Sequence, residues 1–278
     1  MIRTARYLST LSRRSVYAGR PALSFVFALV CALASLAFAA PADTLRFHPG
    51  LRNSGGSHQL HERQLRTVLE SLRGKTGFLE LRFDEAGFLT LGDRSRIIGG
   101  SATARELLIA AVDGDKVFEL ESHDSSPYVA FANIGGGEVV IDFATDARIE
   151  VQPLRLDFTD FAQLRGKREA LEAFDIGFAV LHELAHGVWG LRDEVTDKTR
   201  LGACDEYVNR ARRELGLPER KRYRPRINSA PSSEPRATVR AELLFVLASK
   251  EYRRSGRHKF YLRWDAKQVA ALDGRTLR

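Results

Sequence analysis

The chain has 278 residues, of which 44% are apolar and 28% charged, with two cysteines and a formal net charge of +8. Two cysteines exclude a disulfide-stapled scaffold, and the apolar fraction excludes a disordered, self-repelling chain. The length suits one sizeable domain or two small ones.

Residues 1–20 carry five arginines and no acid, and a continuous apolar stretch over residues 22–40 follows, ending Ala37-Phe38-Ala39-Ala40-Pro41. A basic region, an apolar region and a small-x-small site are the parts of an export signal, with cleavage expected after Ala39. Residues 1–39 are therefore read as a signal peptide, and the protein as exported, periplasmic or secreted. The alternative is an uncleaved anchor, because an apolar stretch of this length (residues 22–40) just spans a bilayer. Ser12-Arg13-Arg14-Ser15-Val16 also resembles a twin-arginine signal. Without those five arginines the +8 falls to about +3, so the basic balance says little about nucleic acid, and no specific nucleic-acid partner is expected. Cys31 lies inside the leader, which leaves Cys204 alone in the remainder, read as a buried small apolar residue, its alternative being a stray metal ligand.

Residues 40–160 read as β-rich, either one wall of a catalytic domain or a separate module. Residues 78–83 alternate apolar and polar, and residues 87–91, 117–120, 128–131 and 139–143 continue the strand-like runs. Gly135-Gly136-Gly137 marks a turn. Helices are expected over residues 62–73 and 102–112; His58 and His61, near the first, have no further ligand set and read as surface residues.

Residues 161–227 read as a helical core. Leu171, Phe174, Phe178, Leu181 and Ala185 recur at three- and four-residue spacing. Ile176, Val180, Leu184 and Val188 cover another side, so this helix is apolar nearly all round and belongs inside a domain. On it stand His182, Glu183 and His186, the pattern H-E-x-x-H. Residues four apart on a helix share a face, so both imidazoles can reach one ion while the glutamate holds a water beside it. Gly187 and Gly190 offer a stop.

A third ligand is sought among the carboxylates that follow: Glu206 on a second helix over residues 204–215, or Glu194 or Asp193 just past the first. A metzincin third histidine is excluded, since Arg stands at position 192. Glu206 is the preferred choice, with Asn209 and Arg210 one turn further along as groups behind it.

The segment from about Phe174 to Arg222 resembles the core of zincin metallopeptidases, gluzincin-like and of the minimal bacterial secreted or effector type. The resemblance covers some fifty residues and is carried by His182, Glu183 and His186; the Glu-x-x-x-Asp of thermolysin-like forms is missing, Arg210 standing four after Glu206. It implies Zn2+ as cofactor, held by His182, His186 and Glu206, with Glu183 as general base acting on a peptide or protein substrate. A Tyr, His or Arg steadies the oxyanion in such families, and Tyr207, Tyr223, Arg210 and His258 stay open for that role.

The basic cluster from Arg210 through Arg226 reads as a solvated helix end, its alternative being a contact for phosphates or acidic polymers. Residues 228–278 hold a Pro/Ser-rich linker and a terminal hairpin, 243–247 with 260–264. The fold class expected is α+β: a mixed or antiparallel sheet in the N-terminal half, and a helical zincin-like metal site in the C-terminal half. Two functions compete: an exported zinc metallopeptidase, and a non-enzymatic envelope or secreted binding protein whose histidine pair is structural.

Overall fold

The computed structural model describes residues 48–142, 146–194, 196–197, 199–229, 239–247, 258–266 and 268–269. The leader or anchor expected over residues 1–39 and nearly all of the linker lie outside them. Among the described residues no helix is long and apolar enough to cross a membrane.

The protein is α+β. Its first sheet is mixed: β1 (Gly50–Asn53), β4 (Lys116–Ser122) and β7 (Ala147–Leu156) run parallel, and β5 (Ala132–Ile134) and β6 (Glu138–Asp142) join β7 antiparallel. Parallel neighbours need crossovers, and α1 (Glu62–Thr76) and α2 (Ala102–Asp113) supply the one from β1 to β4. A two-residue hairpin, β2 (Arg82–Phe83) with β3 (Leu89–Thr90), sits between those helices. The second sheet is antiparallel, ordered β10 (Arg226–Ser229), β11 (Val239–Val246), β12 (Lys259–Asp265) and β8 (Arg165–Gly166), with β9 (Glu219–Arg220) also on β11. Between β7 and β9 in sequence come α3 (Phe158–Gln163), then β8, then α4 (Arg168–Glu172), α5 (Ile176–Trp189) and α6 (Ala203–Glu214).

Helix α5 is the axis of the main core. Every residue from Ile176 to Ala185 is buried, as an all-round apolar helix requires. It starts on Asp175, whose carboxylate accepts from the Phe178 N–H, and ends on Gly190 in the left-handed conformation. Leu51, Leu72, Leu108, Phe118, Leu154, Phe178, Leu184 and Val208 close one apolar cluster, so both halves of the sequence contribute to a single core. A second cluster joins the antiparallel sheet to Phe131, Ala170 and Ala173.

Three sequence expectations change. Residues 128–131 are not a strand: Tyr128 is 88% exposed, and Phe131 takes a left-handed φ of 65° that turns the chain into β5. Residues 78–81 carry only an isolated bridge, Phe78 to Ile97, and the strand is confined to Arg82–Phe83. Gly187 does not stop α5. It lies inside the helix, where a Cβ would meet Phe118 and Ile134 side-chain carbons at 2.3 and 2.8 Å, so its role is the close approach of helix to sheet.

Candidate metal centre

His182 and His186 sit one turn apart on α5, and their Nε2 atoms converge to 3.2 Å. Asp193, four residues past the end of α5 at Trp189, completes the group: one carboxylate oxygen is 3.2 Å from His182 Nε2 and the other 3.2 Å from His186 Nε2. Tetrahedral zinc with ligands at about 2.0–2.1 Å places its donors about 3.3 Å apart. The Nε2–Nε2 separation of 3.2 Å matches one edge of such a tetrahedron, and the Asp193 carboxylate faces both imidazoles at the same distance, one oxygen to each.

The atoms behind the group orient it. His186 Nδ1 bonds the Leu191 carbonyl at 2.6 Å, which leaves Nε2 to face Asp193. His182 Nδ1 looks onto Asp205 Oδ1 at 3.6 Å, and Arg220 donates to that same oxygen at 3.1 Å. A carbonyl or carboxylate behind each imidazole is the usual support of a metal-bound histidine. Three buried atoms here have no hydrogen-bond partner: His182 Nδ1, Asp193 Oδ1 and Asp205 Oδ2. Buried polar atoms are rarely left so, and an ion within the group would occupy Asp193. The donor set, two imidazoles and a carboxylate, fits zinc. Cys204 at the start of α6 is a fourth neighbour: ligand atoms of His182, His186, Asp193 and Cys204 all lie within 4.8 Å of one another, and its thiol donates to the His182 carbonyl at 3.1 Å.

The electrostatics follow from burial and from this crowding. Burial pushes the Glu183 carboxyl above the usual carboxylate range, against the pull of His182 and His186, and the Ile134 backbone N–H on β5 is directed at it. Burial also works to raise Asp193, but the two imidazoles outweigh it and hold the group far below its ordinary value. His186 is lifted to about 9: burial opposes its charge, and the contact with Asp193 and the charge of Glu183 overcome that. Burial, then the carboxylates Asp193, Asp205 and Glu183, push the Cys204 thiol up.

The loop that delivers Asp193 is pinned by packing. A Cβ on Gly202 would meet the Arg192 carbonyl and the Glu194 nitrogen at 2.4 Å and the Asp193 Cα at 2.5 Å, so only glycine lets the loop rest on the start of α6. The Glu194 carboxylate caps the next turn by accepting from the Thr196 and Asp197 nitrogens, at 2.8 and 3.1 Å, and stays out of the cluster.

His182, Glu183 and His186 thus stand together as the spacing implied, whereas Glu206 is exposed on α6 and outside the group. The correction has a simple cause: the buried face of α6 carries Cys204, Asp205, Val208, Asn209 and Arg212, and one further residue turns Glu206 to solvent. Of the candidates for the oxyanion role, only Tyr223 is at the site, where its hydroxyl reaches Asp193; burial and that carboxylate push its pKa up. The Tyr207 hydroxyl donates to the Thr103 carbonyl, Arg210 lies over the Tyr207 ring, and the His258 region pairs with Leu247.

Sequence reasoning also missed Arg220. The run of basic residues from Arg210 through Arg226 reads as solvated, yet Arg220 and Arg212 are 8% and 2% exposed. The signal was present in Asp205 and Asn209, buried-face polar residues that demand partners. No family model matches the chain, and no curated protein and no solved structure matches it either.

Proposed function

We propose that the protein is a zinc-dependent metallopeptidase, held ready by His182, His186 and Asp193 as ligands and Glu183 as general base. The observation that carries this reading is the convergence of two imidazole nitrogens 3.2 Å apart on one carboxylate, each 3.2 Å from one of its oxygens, with a second, buried carboxyl one residue from the first ligand. When bound, zinc supplies a Lewis acid that polarises a carbonyl and acidifies water. Glu183 accepts the proton of the attacking water and returns it to the leaving amine. Tyr223 donates its phenolic hydrogen to the developing oxyanion. The expectation of an export signal over residues 1–39 goes with an activity in the cell envelope or outside the cell.

The test is zinc content by elemental mass spectrometry on the purified protein, with a His182→Ala/His186→Ala control, followed by a peptide-library screen with and without chelator. One zinc per chain, absent from the control, with chelator-sensitive cleavage, is expected. A metal-free parent, even after reconstitution, would remove the reading.

A second reading rests on Cys204. With its thiolate as a fourth ligand the site would be closed and structural, and the protein a binding module. Cobalt substitution separates the two: the enzyme reading expects no thiolate-to-metal absorption, and a Cys204→Ala variant that keeps its zinc.

A further inference from the structure

On the metal reading above, we propose that Arg220 is a positioning residue that ties the two walls of the site together, holding Asp205 behind His182 with one arm and the Tyr223 main chain with the other. Its side chain is 10% exposed, and a cation buried to that depth must find acceptors. It finds three: Nη1 donates to Asp205 Oδ1 at 3.1 Å, Nε to the Arg222 carbonyl at 3.1 Å, and Nη2 to the Tyr223 carbonyl. Two rings adjoin it, with the guanidinium carbon 5.6 Å from the Phe174 centroid and 5.1 Å from that of Tyr223.

Both arms end one contact from the site. Asp205 faces His182 Nδ1, and Tyr223 reaches Asp193. The arginine itself cannot drift. Its backbone N–H donates to Asn209 Oδ1, and its carbonyl accepts from Asn209 Nδ2, both at 2.9 Å. It also sits on β9, whose register against β11 places Arg220 opposite Phe245 in the second sheet. The antiparallel sheet therefore sets where Asp205 and Tyr223 are held, although it supplies no ligand. A planar fork with fixed donors can serve three acceptors at once, which an ammonium cannot.

Arg212 is a built-in control. It is equally buried and shares Asn209, but its Nε serves the Ala173 carbonyl and none of its hydrogen bonds reaches Asp205 or Tyr223. The experiment compares zinc dissociation constants, by competition with a chromophoric chelator, and melting temperatures for the parent, Arg220→Met, Arg220→Lys, Arg212→Met and Asp205→Asn. Arg220→Met is expected to weaken zinc by about 10- to 100-fold, the range for losing a group behind a ligand. Arg220→Lys should recover part of that loss, because it restores the charge beside Asp205 but not the fork. Arg212→Met should lower the melting temperature and weaken zinc at least severalfold less than Arg220→Met, because Asp205 acts on Arg212 through charge and its hydrogen bonds go to Asn209 and Ala173. If Arg220→Met does not fold, Asp205→Asn reads the same link and should also lose about 10- to 100-fold. Unchanged zinc affinity in folded Arg220→Met or in Asp205→Asn, or equal losses in the two arginine variants, overturns the proposal. Failure of the metal reading shows in the parent alone, as absence of zinc, and takes this proposal with it.

Discussion

The two walls of the site are built by different means. One is a single helix: α5 carries His182, Glu183 and His186, and their relation follows from 3.6 residues per turn. The other is assembled from four separate pieces: Asp193 on a loop, Asp205 on α6, Tyr223 past β9, and the Ile134 N–H on β5. The helical wall survives any change that leaves α5 folded. The assembled wall depends on contacts far from the site, such as glycine packing under Asp193, a buried arginine, and a carboxyl that fixes the turn before β5. The comparison teaches that the two histidines and Glu183 are set by helix geometry alone, whereas the carboxylate they face is set by contacts spread over the fold.

The largest effect should come from the helical wall. Glu183→Gln is expected to keep zinc and lose about 10²- to 10⁴-fold in kcat on a cleaved peptide, the range for a positioned general base. Turnover at the parental rate would show that Glu183 is not the base. On the assembled wall, Asp193→Ala should weaken zinc by on the order of 100-fold or more while α5 stays intact, checked by chelator competition alongside circular dichroism. Undiminished affinity would return the third position to another carboxylate.

Asp160 probes the same wall through pH. Its buried carboxyl accepts the Phe131 N–H at 2.9 Å, and burial, with the charges of Asp157 and Asp124, pushes it up to about 7. A raised carboxylate pKa means that the folded state holds the proton more tightly. This contribution is full below pH about 4 and is lost as pH rises through about 7. Asp160→Asn, which keeps an acceptor for Phe131, should flatten that slope and gain about 2 kcal/mol at pH 8 in denaturant melts, from the roughly 4 that three units represent less the cost of burying the amide. An unchanged pH slope would show that Asp160 titrates normally.

Gly202→Ala should cost about 1–3 kcal/mol and roughly tenfold in zinc affinity, because the new methyl displaces the Asp193 backbone. Parental affinity would mean that the loop yields without moving the ligand. The smallest effect is expected at Glu206: Glu206→Gln, on the solvent side of α6, should leave zinc binding unchanged and stability within about 0.5 kcal/mol. A clear loss of zinc would restore it as a ligand.

The sequence by itself determined the elements whose logic is local. The all-round apolar run made α5 a core helix. The spacing of His182, Glu183 and His186 placed them together, and the strand-like runs 117–120 and 139–143 and the pair 243–247 with 260–264 fall on β4, β6 and the β11–β12 pair. It also held an unused signal: Cys204, Val208 and Ala211 mark an apolar stripe on α6 that carries Asp205 inward and Glu206 outward. What only the tertiary structure decided was which carboxylate meets the histidines and which basic residues are buried. Asp193 reaches them because Gly202 lets two backbones touch, and Arg220 is buried because Asn209, Asp205 and the neighbouring strand β11 surround it. Those contacts join residues with no fixed spacing along the chain, and periodicity carries no information about where a loop crosses a helix end.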